Sequence, residues 1–317
     1  MKKLAVFLCL VFFMVTPVIA ADVVIPDPNY ASGRATAFAV KAIIEEALGL
    51  DVKMVTTTAV PVIWEAMSRG KGEIDIWTEA WLPNQSGVAN RYVKQEKTVS
   101  LSSKPFEAIQ GYCIPTAASE KHGIVSVFDL ANPENAQLFD SNGDGKGEIW
   151  IGPQGWQSTN IETIRARDYG FADFFELQST DEAIATAGLD AAVKAGKPWV
   201  GYCYGPHQNF AIYELTLLKE PAHNPEAFVM VQPAEDPDWK SKSKVACAYA
   251  DTKVYTAWSV SLKNRLPQLV PLLEQIQLSA DDVNKWSLEI VNGGDPAEIA
   301  GKWAKANSKM IAEWMSK

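Results

Sequence analysis

Residues that bind transition metals or act as catalytic nucleophiles are scarce in this sequence. Its 317 residues include three histidines and four cysteines, and no pair of them has the spacing of a zinc site or of a Cys/His nucleophile. The sequence also lacks a G-x-S-x-G elbow, an H-E-x-x-H pair and a phosphate-binding glycine loop. The chain is therefore predicted to bind a ligand and not to be an enzyme.

Basic side chains are in the minority as well, with 29 lysines and arginines against 38 acidic residues and a net charge of −9. Nucleic acids and anionic membrane surfaces attract clustered lysine and arginine. The composition argues against both of these partners, and it leaves the chemistry of a small ligand open.

Long apolar runs are confined to the first twenty residues. Lys2 and Lys3 precede an apolar run of 16 residues at 4–19, and Ala20 and Ala21 follow it, which is the layout of a secretory signal peptide. The run is shorter than the ~20 residues that span a bilayer. We expect a signal peptide at 1–20 that is cleaved after Ala20, a periplasmic location, and enough remaining chain for two domains.

Three cysteines lie beyond residue 20, namely Cys113, Cys203 and Cys247. An oxidising compartment permits one disulfide among them and leaves one thiol unpaired. The sequence leaves the choice of the pair open.

The hydrophobic pattern alternates between strands and helices. Strands are predicted at 23–26, 52–56 and 74–77, and helices at 32–48 and 61–69. This order is typical of a parallel sheet with crossover helices, which binds ligands beyond the carboxyl ends of its strands. The segment 77–84 is therefore a candidate binding loop. Further predicted elements are helices at 161–169, 180–195, 266–276, 280–291 and 296–315, and strands at 148–151 and 198–202.

Tryptophan is abundant, with 11 residues, and several of them lie beside proline or glycine in predicted loops at 77–84, 152–158 and 199–206. A quaternary ammonium group donates no hydrogen bond. Its natural receptor is a cage of aromatic faces, worth about 2 kcal/mol or more for a desolvated contact. The spacing alone favours such a cage and an ordinary hydrophobic core equally.

Residues 140–148 read Asp-Ser-Asn-Gly-Asp-Gly-Lys-Gly-Glu, a pattern similar to the first half of a calcium loop. Asp140, Asn142 and Asp144 would supply side-chain oxygens, Lys146 its backbone carbonyl, and Glu148 a direct or water-mediated ligand. An isoleucine occupies the twelfth position, where such loops carry a bidentate glutamate. We predict a weak, structural Ca²⁺ site in preference to a polar turn without metal.

Several stretches, taken in order, resemble one family of exported receptors. They are 30–49, 72–77 with 81–84, 111–115, 138–146 leading to 155–156, 205–207 and 301–303. Over nearly its whole mature length the chain resembles the glycine betaine/proline betaine (quaternary amine) periplasmic substrate-binding proteins of ABC transporters, with a trimethylamine N-oxide-binding member as one option.

In that family three aromatic rings close around the trimethylammonium head of the ligand. The resemblance assigns the first two positions to Trp81 and Trp156, and the third to Tyr204 where relatives have tryptophan. Tyrosine also offers a π face, although a weaker one. Trp77 and Tyr30 are further candidates for the wall of the cavity.

The resemblance also implies how the rest of the ligand is bound. The family binds a betaine carboxylate with backbone N–H groups, here those of Gln157 and Ser158, and with a side-chain donor, here Gln85 where a relative has histidine. Glutamine carries no charge, so anchoring of a carboxylate is weakened, and trimethylamine N-oxide or choline gains weight. Glu79 would neutralise the cation or bond to an N-oxide, with a solvated loop carboxylate as the alternative.

The fold implied by the resemblance is α/β, a two-lobed clamshell of the type II-like periplasmic-binding-protein class with the ligand in the interdomain cleft. Lobe 1 would comprise residues 21–112 and 212–317, and lobe 2 residues 113–211. A monomer is expected, whose partners are the solute and the permease of an ABC importer that recognises the closed form. The alternatives are a sensory binding module for the same ligands and an exported enzyme that acts on methylated amines.

Overall fold

The computed structural model describes residues 21–316. The predicted signal peptide, residues 1–20, lies outside them, so its cleavage stays a prediction. Within residues 21–316, no helix has the length and apolar character that crossing a membrane requires.

Strands and helices alternate along most of the described chain. The strands are β1 (Val23–Asp27), β2 (Val52–Thr56), β3 (Ile76–Leu82), β4 (Val99–Leu101), β5 (Phe106–Pro115), β6 (Gly147–Trp150), β7 (Phe175–Gln178), β8 (Gly201–Gly205), β9 (Leu215–Leu217), β10 (Phe228–Val229), β11 (Lys244–Val245) and β12 (Thr252–Ser259).

The α-helices are α1 (Ala31–Leu48), α2 (Val60–Arg69), α3 (Ser86–Ala89), α4 (Thr116–His122), α5 (Pro133–Ala136), α6 (Gln157–Asp168), α7 (Glu182–Ala195), α8 (Asn209–Ile212), α9 (Trp239–Lys242), α10 (Leu262–Arg265), α11 (Val270–Gln275), α12 (Ala280–Val291), α13 (Pro296–Ala306) and α14 (Ser308–Met315). A π-helical turn spans Asn90–Gln95, and 3-10 helices span Val127–Ala131, Gln137–Phe139 and Pro267–Leu269.

The strands form one large mixed sheet and two small ones. In the large sheet the order is β3-β12-β5-β8-β6-β7, with β4 on β12 and β9 on β5. Pairing is parallel between β6 and its neighbours β7 and β8, and antiparallel along β3, β12, β5 and β8. A separate parallel pair is formed by β1 and β2.

The early helices agree with the predicted periodicity. Helix α1 ends at Leu48 and helix α2 at Arg69, and in each case the next residue is a glycine in the left-handed conformation. Glycine adopts positive φ without a Cβ penalty, so Gly49 and Gly70 stop the helices where the sequence indicates.

Three predictions of local structure were wrong. The segment 77–84, predicted as a loop, is strand as far as Leu82, because β12 pairs with it antiparallel. The same pairing makes the sheet mixed and not purely parallel. The predicted helix 296–315 is two helices, since the side chain of Asn307 donates to the carbonyl of Trp303 at 2.9 Å and α13 ends there.

The buried apolar residues form three clusters, and the largest contains residues of both predicted lobes. Helix α1 packs against α12, α13 and α14, which joins the beginning and the end of the described chain. A second apolar core is built within residues 112–218, with Ile149, Phe171 and Leu218 among its members. Strand β5 runs between them, because its first residues pair with β12 and its last with β8 and β9. The residue boundaries predicted for the lobes stay a prediction.

The structure resolves the choice among the three cysteines. Cys113 on β5 and Cys203 on the neighbouring β8 form a disulfide, with Cα atoms 5.8 Å apart. Cys247 is a buried free thiol. The disulfide therefore links two central strands of the sheet, directly beside Tyr204.

Candidate functional site

A cavity lies where the end of β3, the start of α6 and the strand β8 meet. The space between its lining atoms, including solvent at its open mouth, amounts to about 430 Å³. Its walls are formed by Tyr30, Thr58, Val60, Trp77, Trp81, Asn84, Gln85, Trp156, Gln157, Ser158, Tyr202 and Tyr204. Eight of the nine residues predicted from the sequence to bind ligand are in this set, and Glu79 is the exception.

Six aromatic side chains line the wall, and several of them contact one another. The centroid of the Tyr204 ring lies 5.4 Å from that of Trp81 and 5.6 Å from that of Trp156, with interplanar angles of 88° and 78°. The Tyr30 ring lies 4.9 Å from Trp156 at 74°. At these distances and angles the rings are in edge-to-face contact with one another, and together they line one side of the cavity.

The backbone fixes each of these rings in place. Trp81 is the penultimate residue of β3, before the cis peptide bond Leu82–Pro83. Trp156 precedes α6 and follows Gly152 and Gly155, whose φ values are +99° and +93°. A Cβ on Gly152 would lie 2.7 Å from Oγ1 of Thr159, so this turn requires glycine both for its conformation and for space.

Gln157 and Ser158 are the first two residues of α6. The first N–H groups of a helix have no partner within it, and the helix dipole favours negative charge there. Both residues are buried, and both line the cavity next to Trp156. The predicted backbone donors therefore lie beside the aromatic rings.

The side chain of Gln85 forms hydrogen bonds with two tryptophan side chains near the cavity. Its side-chain oxygen accepts hydrogen bonds from the indole N–H groups of Trp64 at 2.8 Å and Trp77 at 3.3 Å. Its amide nitrogen donates to the backbone carbonyl of Glu79 at 2.8 Å. These bonds fix the amide orientation, so Gln85 positions Trp77 in addition to lining the cavity.

Glu79 is buried behind the rings and is absent from the cavity wall, contrary to a solvated loop carboxylate. Its oxygens accept hydrogen bonds from Trp81 Nε1 and Thr36 Oγ1, both at 2.7 Å, and from the Tyr30 hydroxyl at 3.5 Å. Burial raises its pKa to about 7, because the hydrogen bonds offset only part of the desolvation and Glu182 adds repulsion.

Sequence reasoning missed a second buried carboxylate. Glu182, the first residue of α7, accepts a hydrogen bond from the Tyr204 hydroxyl and lies 3.3 Å from Nε2 of His207. In the sequence it follows Ser179-Thr180-Asp181 and has the features of an ordinary helix start. No motif marks it, because its role depends on α7 being adjacent to β8.

Four residues of the cavity wall were not among the nine predicted, namely Thr58, Val60, Asn84 and Tyr202. Tyr202 donates from its hydroxyl to Gln110 Oε1 at 2.6 Å, and Asn84 exchanges hydrogen bonds with the same glutamine side chain. Tyr202 lies two residues before Tyr204 on β8, so strand alternation places both side chains on one face. That periodicity was the available signal.

The predicted calcium loop forms a series of tight polar turns. Asp140 accepts from the N–H groups of Gly143 and Gly145, Asn142 from Asp144, and Asp144 from Lys146. Glu148 accepts from the N–H of Ser141 with one oxygen, and its other oxygen is buried without a partner. These oxygen donors suit Ca²⁺ chemically. Within residues 21–316, however, no three His, Cys, Asp or Glu side chains are grouped closely enough to form a metal site.

Curated relatives match parts of the chain. It is 22% identical over 213 residues to the glycine betaine/proline betaine-binding periplasmic protein of Escherichia coli, a match that covers 66% of this chain and 64% of that protein. It is 26% identical over 143 residues to the glycine betaine/carnitine transport binding protein GbuC of Listeria monocytogenes, covering 45% of this chain and 40% of that protein. The chain thus spans less than two thirds of the length of these relatives.

Solved structures match nearly the whole length of this chain. An ABC-transporter choline binding protein in complex with choline superposes with a TM-score of 0.73 at 22% identity, covering 93% of this chain and 91% of that one. Lactococcal OpuAC in its closed-liganded conformation with glycine betaine gives a TM-score of 0.70 at 22% identity, covering 92% and 98%. These likenesses confirm the two-lobed α/β fold.

A family model also matches residues 21–306, and it is described as the substrate binding domain of the ABC-type glycine betaine transport system. The match extends over both lobes and includes every residue of the aromatic wall. The chain therefore belongs to the family of substrate-binding domains of ABC-type glycine betaine transport systems.

Proposed function

We propose that this protein captures a small solute with a trimethylammonium group and delivers it to the permease of an ABC importer. The observation that carries the proposal is the set of near-perpendicular rings of Trp81, Trp156 and Tyr204 around one cavity. Family membership and the ligands named for its relatives support the same solute class. The protein would act as a monomer in the periplasm and would not turn its ligand over.

The solute we favour has no carboxylate or a weakly anchored one. In the described part of the chain, no lysine, arginine or histidine lines the cavity. The wall offers a ligand oxygen only uncharged polar groups, among them the N–H groups of Gln157 and Ser158, the side chains of Thr58 and Asn84, and the amide of Gln85, which is already largely engaged. Choline and trimethylamine N-oxide fit this environment better than glycine betaine, whose full carboxylate lacks a cationic partner.

Calorimetric titration of the mature protein with glycine betaine, choline and trimethylamine N-oxide tests the proposal. We expect one-to-one binding of at least one of them, and no turnover by the pure protein. Failure to bind all three would refute the solute class. Consumption of a ligand would instead favour an enzyme that acts on methylated amines.

The variant Trp156→Ala tests the cage itself. Removal of this ring deletes a cation–π contact worth about 2 kcal/mol and opens the cavity to water, so we expect the Kd to rise by about 30-fold or more. Phe128→Ala is the matched control, because Phe128 is an aromatic residue that is 53% exposed and is absent from the cavity wall. Equal affinities of the two variants would contradict the cage assignment.

We further propose that the loop containing Asp140, Asn142, Asp144, Lys146 and Glu148 binds a structural Ca²⁺ ion. The unpartnered, buried oxygen of Glu148 and the ordered turns at Asp140 support this role. The ion would hold in place the connection that leads through β6 to Trp156.

A further inference from the structure

The hydroxyl of Tyr204 is hydrogen-bonded to a buried carboxylate. This hydroxyl donates to Oε2 of Glu182, and both side chains are buried, at 5% and 7% exposure. Burial and the charge of Glu182 raise the pKa of Tyr204 well above its usual value, so the phenol keeps the proton that it donates.

His207 lies next to the other carboxylate oxygen of Glu182. The distance from Oε1 to Nε2 of His207 is 3.3 Å, while Nδ1 of the same ring accepts the backbone N–H of Asn209 at 3.1 Å. The ring of His207 is thus anchored to the backbone at Nδ1, and its Nε2 lies within ion-pair distance of Glu182. The carboxylate of Glu182 thus has the Tyr204 hydroxyl bonded to one oxygen and the His207 ring close to the other.

Glu182 does not line the main cavity. It borders a smaller neighbouring cavity on the far side of the Tyr204 ring, together with His207 and Trp199. A ligand held between Trp81, Trp156 and Tyr204 is therefore separated from the carboxylate by the tyrosine ring, and any effect of Glu182 on the ligand passes through or across that ring.

Building on the proposed function, we propose that Glu182 is a specificity-determining residue that acts through Tyr204. By accepting the phenolic hydrogen bond it fixes the ring and adds negative charge behind it. The cage thereby selects solutes with a net positive charge over zwitterions that carry a carboxylate.

The charge distribution of the Tyr204 ring explains why a cation would be preferred over a betaine. Cation–π attraction depends on electron density at the ring face, and a phenol that donates to a carboxylate has a more electron-rich ring than a free phenol. Charge interactions are also stronger in a buried site than in water. Both effects offset the weaker π face of tyrosine, and both repel the carboxylate of a betaine.

A second carboxylate has the same relation to the opposite ring. Trp81 donates from Nε1 to Glu79, which is also buried and also absent from the cavity wall. Two of the cage rings therefore have a buried acid behind them, and no basic side chain of the described chain lines the cavity. A positively charged ligand would therefore compensate the negative charge of Glu79 and Glu182.

The test uses Glu182→Gln with tetramethylammonium and glycine betaine as calorimetric probes. We expect the Kd for tetramethylammonium to rise roughly tenfold, equivalent to about 1.4 kcal/mol, and the Kd for glycine betaine to change less than about threefold. Asp181→Asn is the matched control. It removes a neighbouring carboxylate that is exposed and makes no side-chain cap, and it should leave both values within about twofold.

A purely structural role gives a different result. Loosening of the Tyr204 ring would weaken both probes by the same factor, so equal losses in Glu182→Gln would overturn the proposal, as would unchanged affinities. Tyr204→Phe keeps the ring and removes the hydroxyl. In that background Glu182→Gln should cost less than in the wild-type protein, whereas fully additive effects would show that the carboxylate does not act through Tyr204.

Failure of this inference is separable from failure of the proposed function. If the wild-type protein binds neither probe, the solute class is wrong. If it binds them and Glu182→Gln leaves their ratio unchanged, the solute class stands and the role of Glu182 is refuted. Thermal unfolding of each variant verifies folding. Should Glu182→Gln not fold, Tyr204→Phe tests the same contact, because it removes the hydrogen bond to Glu182. It should weaken tetramethylammonium more than glycine betaine, and equal losses would overturn the proposal.

Discussion

The raised pKa of Glu79 predicts that affinity for a cation depends on pH. With a pKa of about 7, this carboxyl is about one tenth ionised at pH 6 and about nine tenths ionised at pH 8. The neighbours of Glu79 are the hydroxyls of Tyr30 and Thr36 and the indole of Trp81, with Glu182 contributing repulsion. None of them supplies a positive charge, so a bound cation is the group that favours the ionised form.

The magnitude follows from the ionised fraction. If the cation binds only to the ionised form, its affinity rises about tenfold between pH 6 and pH 8. Each binding event below pH 7 also releases part of a proton, because the cation lowers the pKa of Glu79. Tetramethylammonium is the appropriate ligand, since its own charge does not change with pH.

Titration calorimetry in two buffers of different ionisation enthalpy measures both quantities. Glu79→Gln is the control, since glutamine still accepts from Trp81 and does not titrate, and its affinity should be flat across the range. His207 is present in both proteins, so the difference between them isolates Glu79. An equal pH profile in wild-type protein and variant, or no proton release, would refute the reasoning.

The proton on the Glu79 carboxyl also makes the free energy of unfolding depend on pH. The folded pKa of about 7 exceeds the ordinary value of 4.5, so the folded state holds the proton where the unfolded state has lost it. Stability from this group is therefore lost as pH rises from about 4.5 to about 7, by on the order of 3 kcal/mol. A cationic ligand should recover part of this loss, and Glu79→Gln should remove it.

Two further predictions concern stability away from the cage. Chelation with EDTA should lower the Tm of the wild-type protein, calcium should restore it, and Asp140→Asn should abolish the response; an unchanged Tm with no bound metal by elemental analysis would leave the loop a polar turn. Arg165→Met should reduce the free energy of unfolding by about 3–5 kcal/mol, because it leaves Glu162 buried without its cationic partner. Chemical denaturation measures this loss, and the exposed pair Arg91–Glu96 provides the control, since Arg91→Met should cost less than about 1 kcal/mol. Equal and small losses of unfolding free energy in Arg165→Met and Arg91→Met would show that the buried ion pair of Arg165 does not stabilise the fold.

Local sequence signals predicted the fold where they act over short distances. Helix α12 has the predicted bounds, and α1 and α2 end at glycines that the pattern identifies. The strand identity of residues 77–82 was missed because it depends on β12, about 175 residues later in the chain. No window around Trp77 contains that partner, and the tryptophan-rich composition favoured a loop.

The candidate site shows the same limit. The spacing of the aromatic residues favoured a cage and a hydrophobic core equally, and the resemblance assigned Trp81, Trp156 and Tyr204 to the cage. The wall of the cavity was thus predictable, whereas the residues behind it were not. Glu182 is one of 38 acidic residues, and only the adjacency of α7 and β8 reveals that it supports Tyr204. Burial is a tertiary property, so sequence alone could not separate Glu79 from a solvated carboxylate.

The placement of the two buried acids also bears on closure of the lobes. Glu79 lies behind Trp81 on β3, and Glu182 lies behind Tyr204 on the side of β8 and α7. Their mutual repulsion contributes to the raised pKa of Glu79, so bringing them together without a cation is unfavourable. On the proposed function, a cation between the rings would attract both acids, and this attraction would be greatest with the two sides together. Because a ligand shifts a conformational equilibrium only by its differential affinity for the two states, we infer that net charge, in addition to shape, determines which solutes close this protein.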